Sequence, residues 1–170
     1  MKKNYKLLIL LVLPVLLLSG CLKKETLKDL IYEDVDYKVT FGIKEKYDYK
    51  LVMDRDYFRT SREEGMILGN NFRIGIEFNR DLALKNTTFD KYMKKYEKEE
   101  DFKKVKYGKM NGFQFYTKSY LRYEIYLQVN DELILRLNIY SLNDNKKATT
   151  AALESSEVQD ILKHITVVVK

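Results

Sequence analysis

Hydrophobic residues recur at every second position in several short segments of the chain, and this alternation predicts β-strands. The first two such segments cover residues 37–43 and 49–53, and we predict that they pair as a β-hairpin. A third strand is predicted over residues 71–78, with four apolar side chains facing inward: Phe72, Ile74, Ile76 and Phe78. The segment between the hairpin and this strand, residues 54–66, is charged and irregular.

Other segments place apolar residues three and four positions apart, which predicts helices. The first helix is predicted over about residues 88–100, after a capping-box variant at Thr87-Thr88-Phe89-Asp90. A second short helix is predicted at residues 148–153, and Ser155 or Ser156 is expected to cap a third. The apolar side of that third helix consists of Val158, Ile161 and Leu162, and residues 165–169 are expected to end the chain as a short strand or extended tail.

Between the first and second helices, three alternating segments predict a β-meander over residues 113–119, 123–129 and 133–140. Asn111-Gly112 is expected to break the chain before it. Aligning the apolar faces pairs Ser119 with Tyr123, and pairs Val129 with Leu133 across a three-residue loop.

The predicted order is a hairpin, a strand, a helix, a three-strand meander, further helices and a tail. This order favours an α+β fold with helices packed on an antiparallel β-sheet. The predicted core contains twelve side chains: Phe41, Phe72, Ile76, Phe78, Phe89, Met93, Phe115, Ile125, Leu127, Leu135, Leu137 and Ile161.

Three segments together resemble the PsbP-like family: the helix entry at Thr88-Phe89-Asp90, the strand Lys109-Met-Asn-Gly-Phe-Gln-Phe-Tyr116 and the helix Val158-Gln-Asp-Ile-Leu-Lys-His-Ile165. The resemblance covers about residues 37–168 and implies an antiparallel sheet with helices on both faces. It transfers no functional residue, and the chain lacks the tryptophan that often follows the first hairpin in that family. Cystatin-like and NTF2-like folds are the alternatives, since they also wrap a helix on a curved sheet.

The chain begins with a basic segment and an apolar run from Leu7 to Leu18, followed by Ser19-Gly20-Cys21. The run is shorter than the about 20 residues that span a bilayer, and it ends in small residues, as secretory signal peptides do. The sequence resembles bacterial lipoproteins at this point, which implies cleavage after Gly20 and a diacylglyceryl group on Cys21. We therefore predict a signal peptide at residues 1–20, a lipidated tether at 21–36 and a single domain at 37–170.

Removal of the signal peptide takes away three of the 31 basic residues and leaves 28 against 25 acidic ones, a net charge of +3. This modest excess is spread along the chain, so nucleic-acid binding is not expected. His164 is the only histidine and Cys21 the only cysteine, so we predict no catalytic residue, no metal and no cofactor.

These features favour a non-catalytic binding or assembly module, anchored at the extracytoplasmic side of the cell membrane, for an envelope protein, peptide or glycan. The alternative is an envelope hydrolase that uses paired carboxylates. The predicted meander register places Tyr116, Tyr126 and Arg136 in one row, with Arg122 beside Tyr140 on the same face. Tyr and Arg are enriched at binding hot spots, so this face is the predicted binding surface.

Overall fold

The computed structural model describes residues 27–33, 36–52 and 64–170. The predicted signal peptide, Cys21 and the first part of the tether lie outside the described residues. The described part forms strands, α-helices and one 3₁₀ turn with these bounds: β1 Leu27–Glu33, β2 Tyr37–Lys44, β3 Lys50–Val52, β4 Gly65–Leu68, β5 Phe72–Asn79, α1 Asp81–Leu84, α2 Phe89–Lys94, β6 Glu100–Tyr107, β7 Met110–Thr117, 3₁₀ turn Lys118–Tyr120, β8 Arg122–Gln128, β9 Ile134–Ser141, α3 Lys146–Glu154, α4 Ser156–Lys163 and β10 Ile165–Val169.

The strands form two antiparallel sheets, so the α+β class predicted from the sequence is confirmed. The smaller sheet has the order β1-β2-β10, and the larger has the order β3-β4-β5-β9-β8-β7-β6. Apolar side chains of the smaller sheet and of α3 and α4 pack with one face of the larger sheet, and α1 and α2 pack on its other face. Within the described ranges, none of the helices has the length and apolar character needed to cross a membrane.

The first strand was not predicted, because residues 21–36 were interpreted as a tether. Leu27–Glu33 instead pairs along its whole length with β2, from Leu27 opposite Lys44 to Glu33 opposite Lys38. Its apolar residues do not alternate, since Leu30, Ile31 and Tyr32 are consecutive; only Tyr32 is buried, while Leu27 and Ile31 remain exposed. A strand with one half-buried face and charged neighbours gives a weak alternation signal, so tertiary pairing decided its conformation.

The predicted hairpin of residues 37–43 with 49–53 is wrong. β2 is the central strand of the smaller sheet, between β1 and β10, whereas β3 pairs with β4 in the larger sheet. Both segments are strands, as predicted, but proximity in sequence did not select the partners. β4 begins at Gly65, at the end of the segment that was described as charged and irregular, and it was not predicted.

The helix predicted over residues 88–100 is shorter than expected, and a strand follows it. α2 ends at Lys94, because after Tyr96 the apolar stripe is replaced by the exposed residues Glu97, Lys98 and Glu99. The strand β6 was missed because its lysine-rich sequence, with an irregular register near its start, has few alternating apolar residues. The predicted cap is displaced by one residue, since Thr88, and not Thr87, accepts a hydrogen bond from the Lys91 amide.

The meander forms, but only one of its two predicted registers is correct. Between β8 and β9, Leu127 lies opposite Leu135 across the predicted three-residue loop, whose Asn130 side chain accepts hydrogen bonds from two backbone amides. Between β7 and β8 the expected pairing is displaced by three residues, because Lys118–Tyr120 form the 3₁₀ turn and β8 begins only after it. An odd displacement turns the β7 side chains to the opposite face of the sheet.

All twelve side chains predicted for the core are buried. They divide between two clusters, one on each face of the larger sheet. Phe115 belongs to the same cluster as Phe89 and Met93 of α2, and does not lie beside Leu127 as the predicted register required. The C-terminal predictions are also confirmed: Ser155 caps α4, His164 ends it and β10 follows.

Gly108, at the turn of the β6–β7 hairpin, packs against the first residue of β10 in the smaller sheet. Its φ angle is +56°, and a Cβ atom at this position would overlap the carbonyl oxygen of Ile165 at the start of β10. Asn111-Gly112, which was expected to break the chain, lies inside β7 instead. The turn therefore lies earlier than the sequence suggested, at the glycine that has the left-handed backbone.

We expect Gly108→Ala to lower the free energy of unfolding by about 1–3 kcal/mol, because the alanine would be strained in the left-handed region and its Cβ would displace β10. Chemical denaturation of the variant measures this change. Lys109→Ala, at the exposed neighbouring position, is the control and should change stability by less than about 0.5 kcal/mol. Equal stability of both variants would show that the hairpin does not pack on β10.

Candidate functional site

The outward face of the larger sheet carries a row of charged side chains that its strands position. Side chains alternate along each strand, so the residues between the buried core positions Ile125, Leu127, Leu135 and Leu137 point to the opposite face. On β8 and β9 these outward residues include Arg122, Glu124, Tyr126, Arg136, Asn138 and Tyr140, and on β5 they include Glu77. Strand pairing then brings Glu77, Arg136 and Tyr126 into one row.

The charges in this group alternate in sign and contact one another directly. Arg136 lies 2.8 Å from a carboxylate oxygen of Glu77 and 2.8 Å from one of Glu124. Arg122 donates to the other oxygen of Glu124 through Nη2, at 2.8 Å, and through Nε, at 3.0 Å. Arg122 also donates to the hydroxyl of Tyr140. We call Glu77, Arg136, Glu124, Arg122 and Tyr140 the charged ladder.

The charged ladder is largely removed from solvent, since the carboxylate-bearing side chains of Glu77 and Glu124 are only 7% and 5% exposed. Burial alone would raise the pKa of Glu124, but the guanidinium groups of Arg136 and Arg122 outweigh it and hold that pKa below its ordinary value. Burial lowers the pKa of Arg136, and the neighbouring Tyr126, Glu124 and Glu77 more than reverse this, so the pKa is raised. Glu124 and the two guanidinium groups are therefore charged at pH 7, and each guanidinium group is paired with a carboxylate inside the domain.

Helix α2 closes one end of this face over Tyr126. The Tyr126 ring stacks on Phe113 with 4.9 Å between centroids, and Tyr92 of α2 lies 6.0 Å away. The Tyr126 hydroxyl donates to Glu124 at 2.8 Å, and Arg136 lies over the ring at 5.4 Å. Burial, the neighbouring Glu124 carboxylate and this hydrogen bond raise the pKa of Tyr126, so the phenol stays protonated.

The predicted binding surface is therefore not an open surface. The structure brings together Tyr126, Arg136, Arg122 and Tyr140, as predicted, but Tyr126 is only 4% exposed. Tyr116 does not belong to the group, because the corrected register places it opposite Tyr123 in the main core cluster. Aromatic and guanidinium groups on this face are thus used for packing and ion pairing within the domain.

Glu77 and Glu124 are the ladder residues that are absent from the predicted binding surface. A signal for Glu77 was present, since it occupies an outward position between the inward residues Ile76 and Phe78 of a predicted strand. Its partner Arg136 lies 59 residues later in the chain. Nothing local to β5 identifies that partner, and only the pairing of β5 with β9 creates the contact.

The outer edge of β10 is a second candidate site. β10 is the last strand of the smaller sheet, and Val168 and Val169 are 57% and 47% exposed. The His164 carbonyl accepts from Gly42, and the Lys170 amide donates to Asp36, so even-numbered residues direct their backbone groups toward β2. The N–H and C=O groups of Val167 and Val169 consequently point to the open edge.

A small cavity lies beside the end of this edge. Its volume is about 200 Å³, and it is lined by Asp36, Tyr37, Arg80, Asn130, Glu132, Leu133, Val169 and Lys170. Arg80 closes one side through an ion pair with Asp36 at 2.6 Å and a hydrogen bond to the Tyr37 hydroxyl at 3.2 Å. The cavity thus places positively and negatively charged side chains and the Tyr37 hydroxyl next to Val169, whose backbone groups face the open edge.

Metal-binding groups are not assembled in the part of the chain that the structure describes. There, no three side chains of His, Cys, Asp or Glu lie close enough to hold an ion together. His164 is the C-cap of α4, and its Nδ1 lies 2.9 Å from the Asp160 carbonyl oxygen. This contact gives the imidazole a structural partner at the helix end.

No protein-family model matches the chain, and no curated protein sequence is significantly similar to it. Function is therefore inferred from the residues and their geometry.

We expect Glu124→Gln to lower the free energy of unfolding at pH 7 by about 3–5 kcal/mol, because it leaves two buried guanidinium groups without their shared carboxylate. The wild-type carboxylate has a lowered pKa, so its contribution is present above the unfolded pKa of about 4.3 and is lost as pH falls through the folded value. The difference between variant and wild type should thus shrink in strong acid. Urea denaturation at neutral and acidic pH measures it.

The matched control is Glu97→Gln, which changes an exposed carboxylate in the same way and should be nearly neutral. A Glu124→Gln protein as stable as wild type at pH 7 would contradict the charged ladder.

Proposed function

We propose that the protein is a lipoprotein, held by a diacylglyceryl group on Cys21 at the extracytoplasmic side of the cell membrane, whose domain is a non-catalytic binding module. Its ligand is an extended polypeptide segment of an envelope protein that adds a strand to the open edge of β10. The observation that carries this assignment is the edge itself: an exposed β-branched strand with two residues whose backbone groups face outward.

Strand addition uses main-chain hydrogen bonds for affinity and side-chain pockets for selectivity. Val167 and Val169 supply the donors and acceptors, and the cavity lined by Arg80 and Glu132 lies beside Val169. Natural proteins usually protect such an edge with charges or proline. β10 has neither within Ile165–Val169, which favours a strand that is covered when the protein functions.

The anchor restricts where this edge operates. The described domain begins at Leu27, six residues after Cys21. Even fully extended, those six residues reach about 20 Å. A partner captured at β10 is therefore held close to the bilayer. The antiparallel sheet with helices on both faces is also compatible with the PsbP-like resemblance, which we retain as part of the proposal.

The alternative, a hydrolase with paired carboxylates, is less well supported. A glycosidase of that type needs one carboxyl group with a raised pKa to act as an acid. The best-placed buried pair is Glu77 and Glu124, yet both are ion-paired to Arg136, and the pKa of Glu124 is lowered. That pair is suited to holding the sheet together.

Cys21→Ala should abolish acyl labelling and move the protein from the membrane fraction to the soluble fraction, because the acylated thiol would be lost. Metabolic labelling with a fatty-acid analogue and cell fractionation measure both effects. Membrane association that persists unchanged, with no acyl mass on wild-type Cys21, would rule out the anchor.

Val167→Pro tests strand addition, because it removes an outward N–H group while leaving the hydrogen bonds to β2 in place. With a photo-crosslinking residue at position 169, the wild-type edge should form a defined adduct in cells, and Val167→Pro should abolish it with little loss of stability. Val168→Pro is the contrast, since its N–H faces β2 and its loss should lower the melting temperature. Adduct formation that is equal in Val167→Pro and wild type would refute binding at this edge.

A further inference from the structure

The hairpin formed by β6 and β7 carries a dense cluster of positive charge. Its sequence from Phe102 to Lys109 contains four lysines and no acidic residue: Lys103, Lys104, Lys106 and Lys109. All four are exposed. We call these four residues the lysine hairpin.

The lysines of the lysine hairpin lack the carboxylate partners that several other lysines of the domain have. Lys85, Lys118 and Lys146 each form an ion pair with a carboxylate, at 2.6 to 3.2 Å. Within the described residues, none of the four hairpin lysines forms such an ion pair. Their charge is therefore directed to solvent, and a surface of opposite charge would be attracted to it.

The fold places this cluster at the same end of the molecule as the start of β1, to which the anchor leads. Gly108, at the hairpin turn, contacts Ile165, which pairs with Phe41 of β2. From Phe41, β2 continues for three residues to Lys44, which lies opposite Leu27. Three residues of β2 place the hairpin turn about 10 Å from the start of β1 along the strand direction. The two strand spacings from β10 to β1 add about 10 Å across the sheet. Cys21 precedes Leu27 by only six residues.

We propose that the lysine hairpin is a second membrane contact, which binds the phosphate groups of anionic lipid headgroups in the bilayer that holds Cys21. This inference rests on the proposed anchor for its location, although its charge and exposure do not depend on lipidation. A lipid anchor together with a basic patch is a common two-part membrane attachment. The second contact would fix the orientation of the domain and direct the β10 edge consistently relative to the membrane.

Protection of an edge strand is a purely structural role for the same lysines. β6 is the last strand of the larger sheet, and lysine on an edge discourages pairing with other chains. That role requires neither an anionic surface nor the position near Leu27. It predicts aggregation when the lysines are removed, whereas the membrane contact predicts a loss of lipid binding by a protein that remains monomeric.

The test uses residues 21–170 with Cys21→Ser, which retains every described residue and has no acyl chain. Binding is measured by co-sedimentation with vesicles rich in phosphatidylglycerol and with vesicles of phosphatidylcholine alone, at low and physiological salt. The test variant is Lys104→Gln/Lys106→Gln/Lys109→Gln. The matched control is Lys91→Gln/Lys94→Gln/Lys98→Gln, which removes the same charge from exposed positions on and just after α2.

We expect binding to phosphatidylglycerol vesicles only, with salt lowering it. Each lysine that reaches the surface contributes about fivefold in affinity, so the test variant should bind at least about tenfold more weakly. The control variant should lose much less.

Equal loss in both variants would overturn the proposal, because it would show a response to net charge alone. Retention by the anionic wall polymer poly(glycerol phosphate) without vesicle binding would also overturn it. So would aggregation of the test variant with unchanged vesicle binding. Since the protein used has no acyl chain, these outcomes do not depend on whether Cys21 is lipidated.

Discussion

The carboxylate of Glu124 lies between two guanidinium groups on the outward face of the larger sheet, and the arrangement of that face depends on it. Its two oxygens bind Arg136 and Arg122, and Arg136 continues to Glu77 on β5. The ladder thereby crosses β8, β9 and β5, three neighbouring strands whose other faces are apolar. Because buried charges are costly unless each is paired, this register of strands is favoured over any that would separate them.

The ladder also explains why the Tyr and Arg residues of this face are not presented as an open surface. The Tyr126 hydroxyl donates a hydrogen bond to Glu124, and the Tyr126 ring packs between Phe113 and α2. A ligand that competed for Arg136 would have to break contacts with two carboxylates. The edges of the sheets differ from this face, because β10 directs backbone groups outward and β6 carries lysines that form no ion pair within the described residues.

The edge strands β6 and β10 have opposite chemistry. β6 is covered with lysine, which repels another strand and attracts anions, whereas β10 has a β-branched sequence that invites pairing. They meet where Gly108 contacts Ile165. One corner of the domain thus combines a surface suited to lipid headgroups with the beginning of an edge suited to a peptide. In the proposed lipoprotein, the short link to Cys21 would keep both of them near the bilayer.

The sequence by itself determined the features that depend on local periodicity and on single residues. Alternation identified most strands, and alternation together with helical spacing identified the full set of predicted core residues. The cap of α4 was narrowed to Ser155 or Ser156, and the Val129–Leu133 loop followed from the two faces that it must align. Tertiary structure decided which strands pair. β1 and β6 have weak apolar faces, β2 and β3 joined different sheets, and a 3₁₀ turn displaced β7 relative to β8. Those outcomes, like the contact of Glu77 with Arg136, arise between residues far apart in the chain, where burial and charge pairing outweigh local preference.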